Sequence, residues 1–117
     1  MEKYTAELDK NDIYNDKCPI LYALKIIGQK WKLPILWYLM DHDGIHYNEL
    51  RRKVIGITNT MLTRCLRELE EDGLILRCDF KTIPPSVEYK LTQNGKELLP
   101  TLTELYNWGK KQITNLQ

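Results

Sequence analysis

The chain has 117 residues, 43% of them apolar, which is one ordinary domain with enough apolar side chains for a packed core; wholesale disorder is excluded. No apolar run approaches the roughly 20 residues of a membrane span, and the polar start Met1-Glu2-Lys3-Tyr4 is unlike a signal peptide, so a cytoplasmic protein with no membrane partner is the expectation. A net charge of +1 excludes a uniformly basic nucleic-acid binder, but it hides a partition: residues 1–24 and 68–117 each carry −2, and residues 25–67 carry +5.

Residues 1–17 read as an N-terminal arm ahead of a single domain over 18–117. Pro19 suits the first turn of a helix; Ile20, Leu21, Leu24 and Ile27 give that helix an apolar stripe and Gly28 stops it. A second helix, Trp31 to Met40, is apolar nearly all round through Leu33, Ile35, Leu36, Trp37 and Leu39, as a buried central helix is. Pro34 is tolerated there only in the first turn. Asp41 to Gly44 reads as a turn and Ile45-His46 as a very short strand. A short helix then opens at Tyr47 or Asn48 and runs through Val54, with Leu50 and Val54 inward and Arg51, Arg52 and Lys53 outward.

Ile55-Gly56-Ile57 is a tight turn into the most informative segment, Gly56 to Gly73. Thr58 is placed to cap this helix, Ile57 and Leu62 form a hydrophobic staple, and Gly73 sits where helices end in a left-handed residue. Leu62, Leu66 and Leu69 share one face. The opposite face carries Thr60, Thr63, Arg64 and Arg67, with no carboxylate among them; Glu68, Glu70, Glu71 and Asp72 come only at the C-terminal end. A helix that enters nucleic acid N-terminus first has this arrangement, because its acids stay clear of the phosphates. A solvated surface helix is the competing reading.

After Gly73 the period changes from 3.6 to 2. Leu76, Cys78 and Phe80 alternate with polar residues, as do Val87, Tyr89 and Leu91, around Thr82-Ile83-Pro84-Pro85. This predicts an antiparallel hairpin with the prolines at its tip and Cys78 on the inward face. Thr92 caps a last helix, Gln93 to about Ile113, which Pro100 should kink or break. That helix and the first carry more apolar surface than a small domain needs, which points to a homodimer interface.

No cofactor motif is present and none is expected. Cys18, Cys65 and Cys78 form no Cys-x-x-Cys pair and lie far in sequence from His42 and His46, so no metal site is expected. There is no Ser/His/Asp set, no glycine-rich phosphate loop and no carboxylate cluster outside helix surfaces, so the chain reads as a non-enzyme.

Helix, helix, short strand, helix, helix, hairpin, helix is the order of a winged helix-turn-helix domain, mainly α with a small β-hairpin. The chain resembles the HxlR-type transcription regulators, relatives of the MarR-type regulators. The resemblance is carried by Cys18-Pro19-Ile20, Gly28-Gln29-Lys30-Trp31-Lys32, Ile35-Leu36-Trp37-Tyr38-Leu39 and Tyr47-Asn48-Glu49-Leu50-Arg51-Arg52. It continues through Gly56-Ile57-Thr58, Met61-Leu62-Thr63, Leu66 to Ile75, Pro84 to Tyr89, Leu91-Thr92, Gly95 and Leu98-Leu99-Pro100. It covers residues 18 to about 110 and implies a homodimer that binds operator sites in double-stranded DNA, with the Gly56–Gly73 helix in the major groove and the hairpin as wing. A winged-helix module for protein–protein contact is the alternative.

Side-chain chemistry assigns the contacts. Arg64 or Arg67 suits guanine, Asn59 suits adenine, and Thr58, Thr60 and Thr63 suit phosphate or a base edge. Arg51, Arg52, Lys30 and Lys32 suit phosphate, and Lys81 and Lys90 flank the wing tip, within reach of the backbone or minor groove. Arg64 with Glu68 and Arg67 with Glu71 can instead pair at i,i+4. Ile83-Pro84-Pro85 at the tip supplies no arginine for the minor groove. The resemblance makes Cys18 a redox-sensing candidate, beside Lys17 and near a helix start; the other reading is a packing residue. Cys65 and Cys78 read as small core residues or as a resolving partner.

Overall fold

The computed structural model describes residues 18–116; the N-terminal arm over 1–17 lies outside the described residues. The order is α1 (Pro19–Ile27), α2 (Lys32–Leu39), β1 (Ile45–His46), α3 (Tyr47–Lys53), α4 (Asn59–Glu71), β2 (Ile75–Asp79), β3 (Val87–Leu91), α5 (Gln93–Lys96) and α6 (Leu99–Asn115). The three strands form one antiparallel sheet in the order β1-β3-β2. This is the winged helix-turn-helix order, with α3 and α4 as the helical pair and β2–β3 as the wing.

The core gathers around α4. Leu62, Cys65, Leu66 and Leu69 turn from that helix onto Ile35, Leu36 and Leu39 of α2, Leu50 of α3 and Ile75, Tyr89 and Leu91 of the sheet. The leucine stripe is therefore the inner face of α4, and Cys65 lies wholly within the core. Ile57 is also buried just before the helix, so the chain enters α4 from the core.

Both ends of α4 are closed by local chemistry. The Thr58 hydroxyl accepts from the Met61 amide at 3.1 Å. At the other end Gly73 takes φ +79; its amide donates to Glu70 and that of Leu74 to Leu69, both at 3.0 Å. That is the paired closure of a left-handed helix stop. Thr92 then joins two elements through one hydroxyl. It donates to the Gly73 carbonyl at 2.7 Å and accepts from the Gly95 amide at 3.0 Å.

The break expected near Pro100 is present: the chain between α5 and α6 is broken at Glu97-Leu98, and Pro100 stands in the first turn of α6. One expectation changes: the inward face of β2 is the opposite of the one expected. Ile75 is buried and pairs with Leu91, whereas Leu76 and Phe80 are about half exposed and Cys78 is half-buried. In antiparallel register, paired residues share a face. Ile75 therefore follows Leu91 and Tyr89 inward and leaves Leu76, Cys78 and Phe80 outside.

The surplus apolar surface of the end helices is present. Helix α1 exposes Ile20, Tyr22 and Leu24; α6 exposes Leu105, Tyr106, Trp108 and Ile113. Only Leu102 of α6 is buried, and the Tyr106 ring stacks on Trp37 of α2 at 4.7 Å.

Candidate nucleic-acid interface

The outer face of α4 is built by the same periodicity that builds its inner one. With Leu62, Cys65, Leu66 and Leu69 inward, Asn59, Thr60, Thr63, Arg64 and Arg67 are left to line one open depression. Their groups are amide, hydroxyl and guanidinium. No carboxylate lines this surface, and no acidic residue occupies the first turn of the helix. The helix N-terminus adds its partial positive charge on the same side.

Each arginine is held in its own way. Arg64 Nη2 donates to the thioether of Met61 one turn earlier, at 3.4 Å, and not to Glu68. Arg67 Nε stands 4.0 Å from Glu71, both side chains well exposed; a pair of that kind is worth only about 0.3–0.5 kcal/mol. Neither arginine is committed to an internal partner that phosphate or guanine could not displace.

Glu68 is engaged elsewhere. Lys32, on α2, is buried at 3% exposure, and its Nζ lies 2.9 Å from Glu68 Oε1. The bond from Lys32 holds the Glu68 carboxyl below the usual carboxylate range, against the opposing effect of burial. Lys32 is therefore not a phosphate ligand. Its ammonium faces α4 from within and ties α2 to α4, so the expectation for this residue is corrected. Lys30 does remain on the surface, its ammonium 4.7 Å over the Trp31 ring. It shares a depression with Arg64 and Met61, beside the start of α4. Arg51 and Arg52 are exposed on the last turn of α3. The Cys65 thiol at the floor is pushed above its ordinary range, chiefly by burial.

The turn between the two helices is set by Gly56 at φ +94, a conformation that costs an L-residue about 1–2 kcal/mol. One residue that sequence reasoning left without a role stands across this turn. The Tyr47 Oη at the start of α3 lies 3.1 Å from Asn59 Oδ1, 3.2 Å from the Asn59 carbonyl oxygen and 3.1 Å from Thr63 Oγ1. It ties α3 to two of the expected reading residues. Separations of 12 and 16 residues leave no periodic trace of such a contact.

In the wing, Lys81 is exposed beside the tip with φ +52, and the Asp79 carboxylate accepts its backbone amide at 3.0 Å. Ile83 is fully exposed. Lys90 does not flank the tip. It pairs with Leu76 toward the base of the hairpin, because the strands run five residues each before the turn. At the same sheet face His46 Nε2 lies 3.1 Å from a Glu88 carboxylate oxygen. Cys18, which precedes α1, is buried, as is Cys65. Among the described residues no three histidine, cysteine or acidic side chains are grouped to hold a metal, and no helix is long and apolar enough to cross a membrane.

Comparison with known proteins agrees with this geometry. The family model described as HxlR-like helix-turn-helix matches residues 26–117. The uncharacterized HTH-type transcriptional regulator YybR of Bacillus subtilis is 43% identical over 104 residues, which span 87% of this chain and 82% of YybR. The redox regulator HypR is similar in structure in its reduced form, with a TM-score of 0.78 and 39% identity over 84% of this chain and 96% of that one. Its oxidized form gives a TM-score of 0.76 and 40% identity over 80% and 96%. Fold, helix pair and relatives agree: the chain belongs to the HxlR-like helix-turn-helix family of transcription regulators.

Proposed function

We propose that the chain binds operator DNA as a homodimer and reads it with the outer face of α4. The observation that carries this reading is the depression lined by Asn59, Thr60, Thr63, Arg64 and Arg67 without a carboxylate. Arg64 and Arg67 approach guanine O6/N7, Asn59, Thr60 and Thr63 approach neighbouring base edges, and each good pair contributes about 1–3 kcal/mol of discrimination. Lys30, beside Arg64, and Arg51 and Arg52, exposed on the last turn of α3, contact phosphates. Thr58 caps the helix through a lone pair and keeps its hydroxyl proton for a phosphate oxygen. Lys81 reaches the backbone from the wing.

The dimer forms through α1 and α6, whose Ile20, Leu24, Leu105 and Trp108 are exposed among the described residues. A two-fold axis there sets two copies of α4 about 34 Å, one helical turn, apart on DNA. Relatives named as transcriptional regulators favour this reading over a module for protein–protein contact.

An electrophoretic shift with fragments upstream of the chain's own and neighbouring genes tests it. Binding should be specific and weaken steeply with salt. Replacing Arg64 and Arg67 together by alanine should abolish site preference and leave the fold intact. No salt-sensitive binding to any such fragment would count against the reading.

The same reading includes a redox response through Cys18, supported by the similarity to HypR in two redox forms. Diamide would take two electrons and two protons from a pair of thiols and leave a disulfide. A non-reducing gel and a shift assay after diamide should differ between the wild type and Cys18→Ser. Identical behaviour of the two would remove Cys18 from the mechanism.

A further inference from the structure

We infer that Tyr47 is a specificity-determining residue that reads no base itself but sets which hydrogen-bonding polarity Asn59 and Thr63 offer to DNA. The inference rests on the DNA-reading role proposed for α4.

Its basis is a count of protons. A tyrosine hydroxyl holds one proton and accepts through its lone pairs. Around the Tyr47 Oη stand three oxygens within 3.2 Å: the Asn59 carbonyl, Asn59 Oδ1 and Thr63 Oγ1. The two Asn59 oxygens carry no proton. Were the Tyr47 proton given to Thr63, the tyrosine oxygen would face both of them lone pair to lone pair. The proton therefore goes to Asn59, shared between its carbonyl oxygen and Oδ1, and Thr63 donates its own to Tyr47.

Two consequences follow for the surface. With Oδ1 turned to Tyr47, Asn59 presents its two Nδ2 protons outward. With its proton spent on Tyr47, Thr63 presents only acceptor lone pairs. One side chain then suits an acceptor edge such as guanine N7/O6 or thymine O4, and the other suits the exocyclic amine of cytosine or adenine. Without the tyrosine hydroxyl, a threonine rotor and an amide are each free to offer either polarity, and discrimination at their bases is lost while the arginines keep theirs. A hydroxyl at the first residue of α3 also holds the register of α4 against α3 across the Gly56 turn.

The test is selection from a random duplex pool with wild type, Tyr47→Phe, Asn59→Ala/Thr63→Ala, and the triple variant. Arg64→Ala and Arg67→Ala map the positions that the arginines read. Tyr47→Phe should keep the arginine positions and lose about tenfold of preference at those mapped by Asn59 and Thr63, the scale of one good base contact. In the Asn59→Ala/Thr63→Ala background it should change nothing further. A uniform loss of binding to all sequences, with unchanged preferences, would mean that Tyr47 only packs, and would overturn the inference alone. So would a further change of preference in the triple variant. No enriched motif for the wild type would overturn it together with the reading on which it rests.

Discussion

Replacing Glu68 by glutamine tests how α4 is held against α2. The substitution keeps the shape and removes the charge. Lys32 Nζ then remains at 3% exposure with its 2.9 Å partner neutralised. Removing one partner of a buried ion pair costs about 3–5 kcal/mol, because the other charge is left desolvated. Glu68 is 31% exposed as a whole, but the Oε1 that faces Lys32 is buried, so the cost is at least about 3 kcal/mol. At about 4–8 °C per kcal/mol for a domain of this size, Glu68→Gln should melt at least about 12 °C below the wild type. Lys32→Met leaves the buried Oε1 of Glu68 without its cation, so it should also destabilise, by less than Glu68→Gln because the rest of that carboxylate is partly exposed. The double variant should be more stable than the sum of the single changes implies. The pH dependence carries a sign. The Glu68 carboxyl is held below its ordinary value in the fold, first by the Lys32 bond. Its contribution is then complete above the unfolded-state value and is lost as pH falls through the folded-state value. Thermal unfolding of the wild type and Glu68→Gln should therefore converge toward acid pH. A gap that stays constant into acid, or a variant as stable as the wild type at neutral pH, would refute the pairing.

Other consequences are simpler to read. Gly56→Ala forces a side chain into φ +94 and should cost about 1–2 kcal/mol in thermal unfolding, with no change of charge. Thr58→Ala removes the 3.1 Å cap on the Met61 amide and should cost about 1 kcal/mol by the same assay. Leu105→Glu with Trp108→Glu places charge on the exposed face of α6; sedimentation should show a folded monomer with much weaker operator binding. A dimer of undiminished affinity would place the interface elsewhere.

The parts of the fold legible in the sequence are those written by neighbours. Thr58 and Gly73 bound α4 because capping and left-handed closure act within one turn, and Leu62, Leu66 and Leu69 mark its inner face by period. Long-range pairing left no such trace. Lys32 looks like one more surface cation, and only Glu68 across the fold makes its burial affordable. Tyr47 meets Asn59 and Thr63 through the fold of the Gly56 turn. The phase of β2 was misleading for a local reason: Leu74-Ile75-Leu76 is apolar throughout, so the alternation starting at Leu76 has an equally good competitor starting at Ile75. Pairing with Leu91 decides between them. Pro100 marked a break but not which side of it would be helical.

The most direct test of the major-groove role of α4 is methylation interference on an operator half-site. Methylation at guanine N7 blocks the atom that an arginine fork approaches. The expected result is that N7 methylation at one or two guanines in each half-site prevents wild-type binding, with half-sites about one helical turn apart, and that this sensitivity disappears at a distinct guanine in Arg64→Ala or Arg67→Ala. Binding indifferent to N7 methylation, or a pattern identical in wild type and both arginine variants, would contradict it.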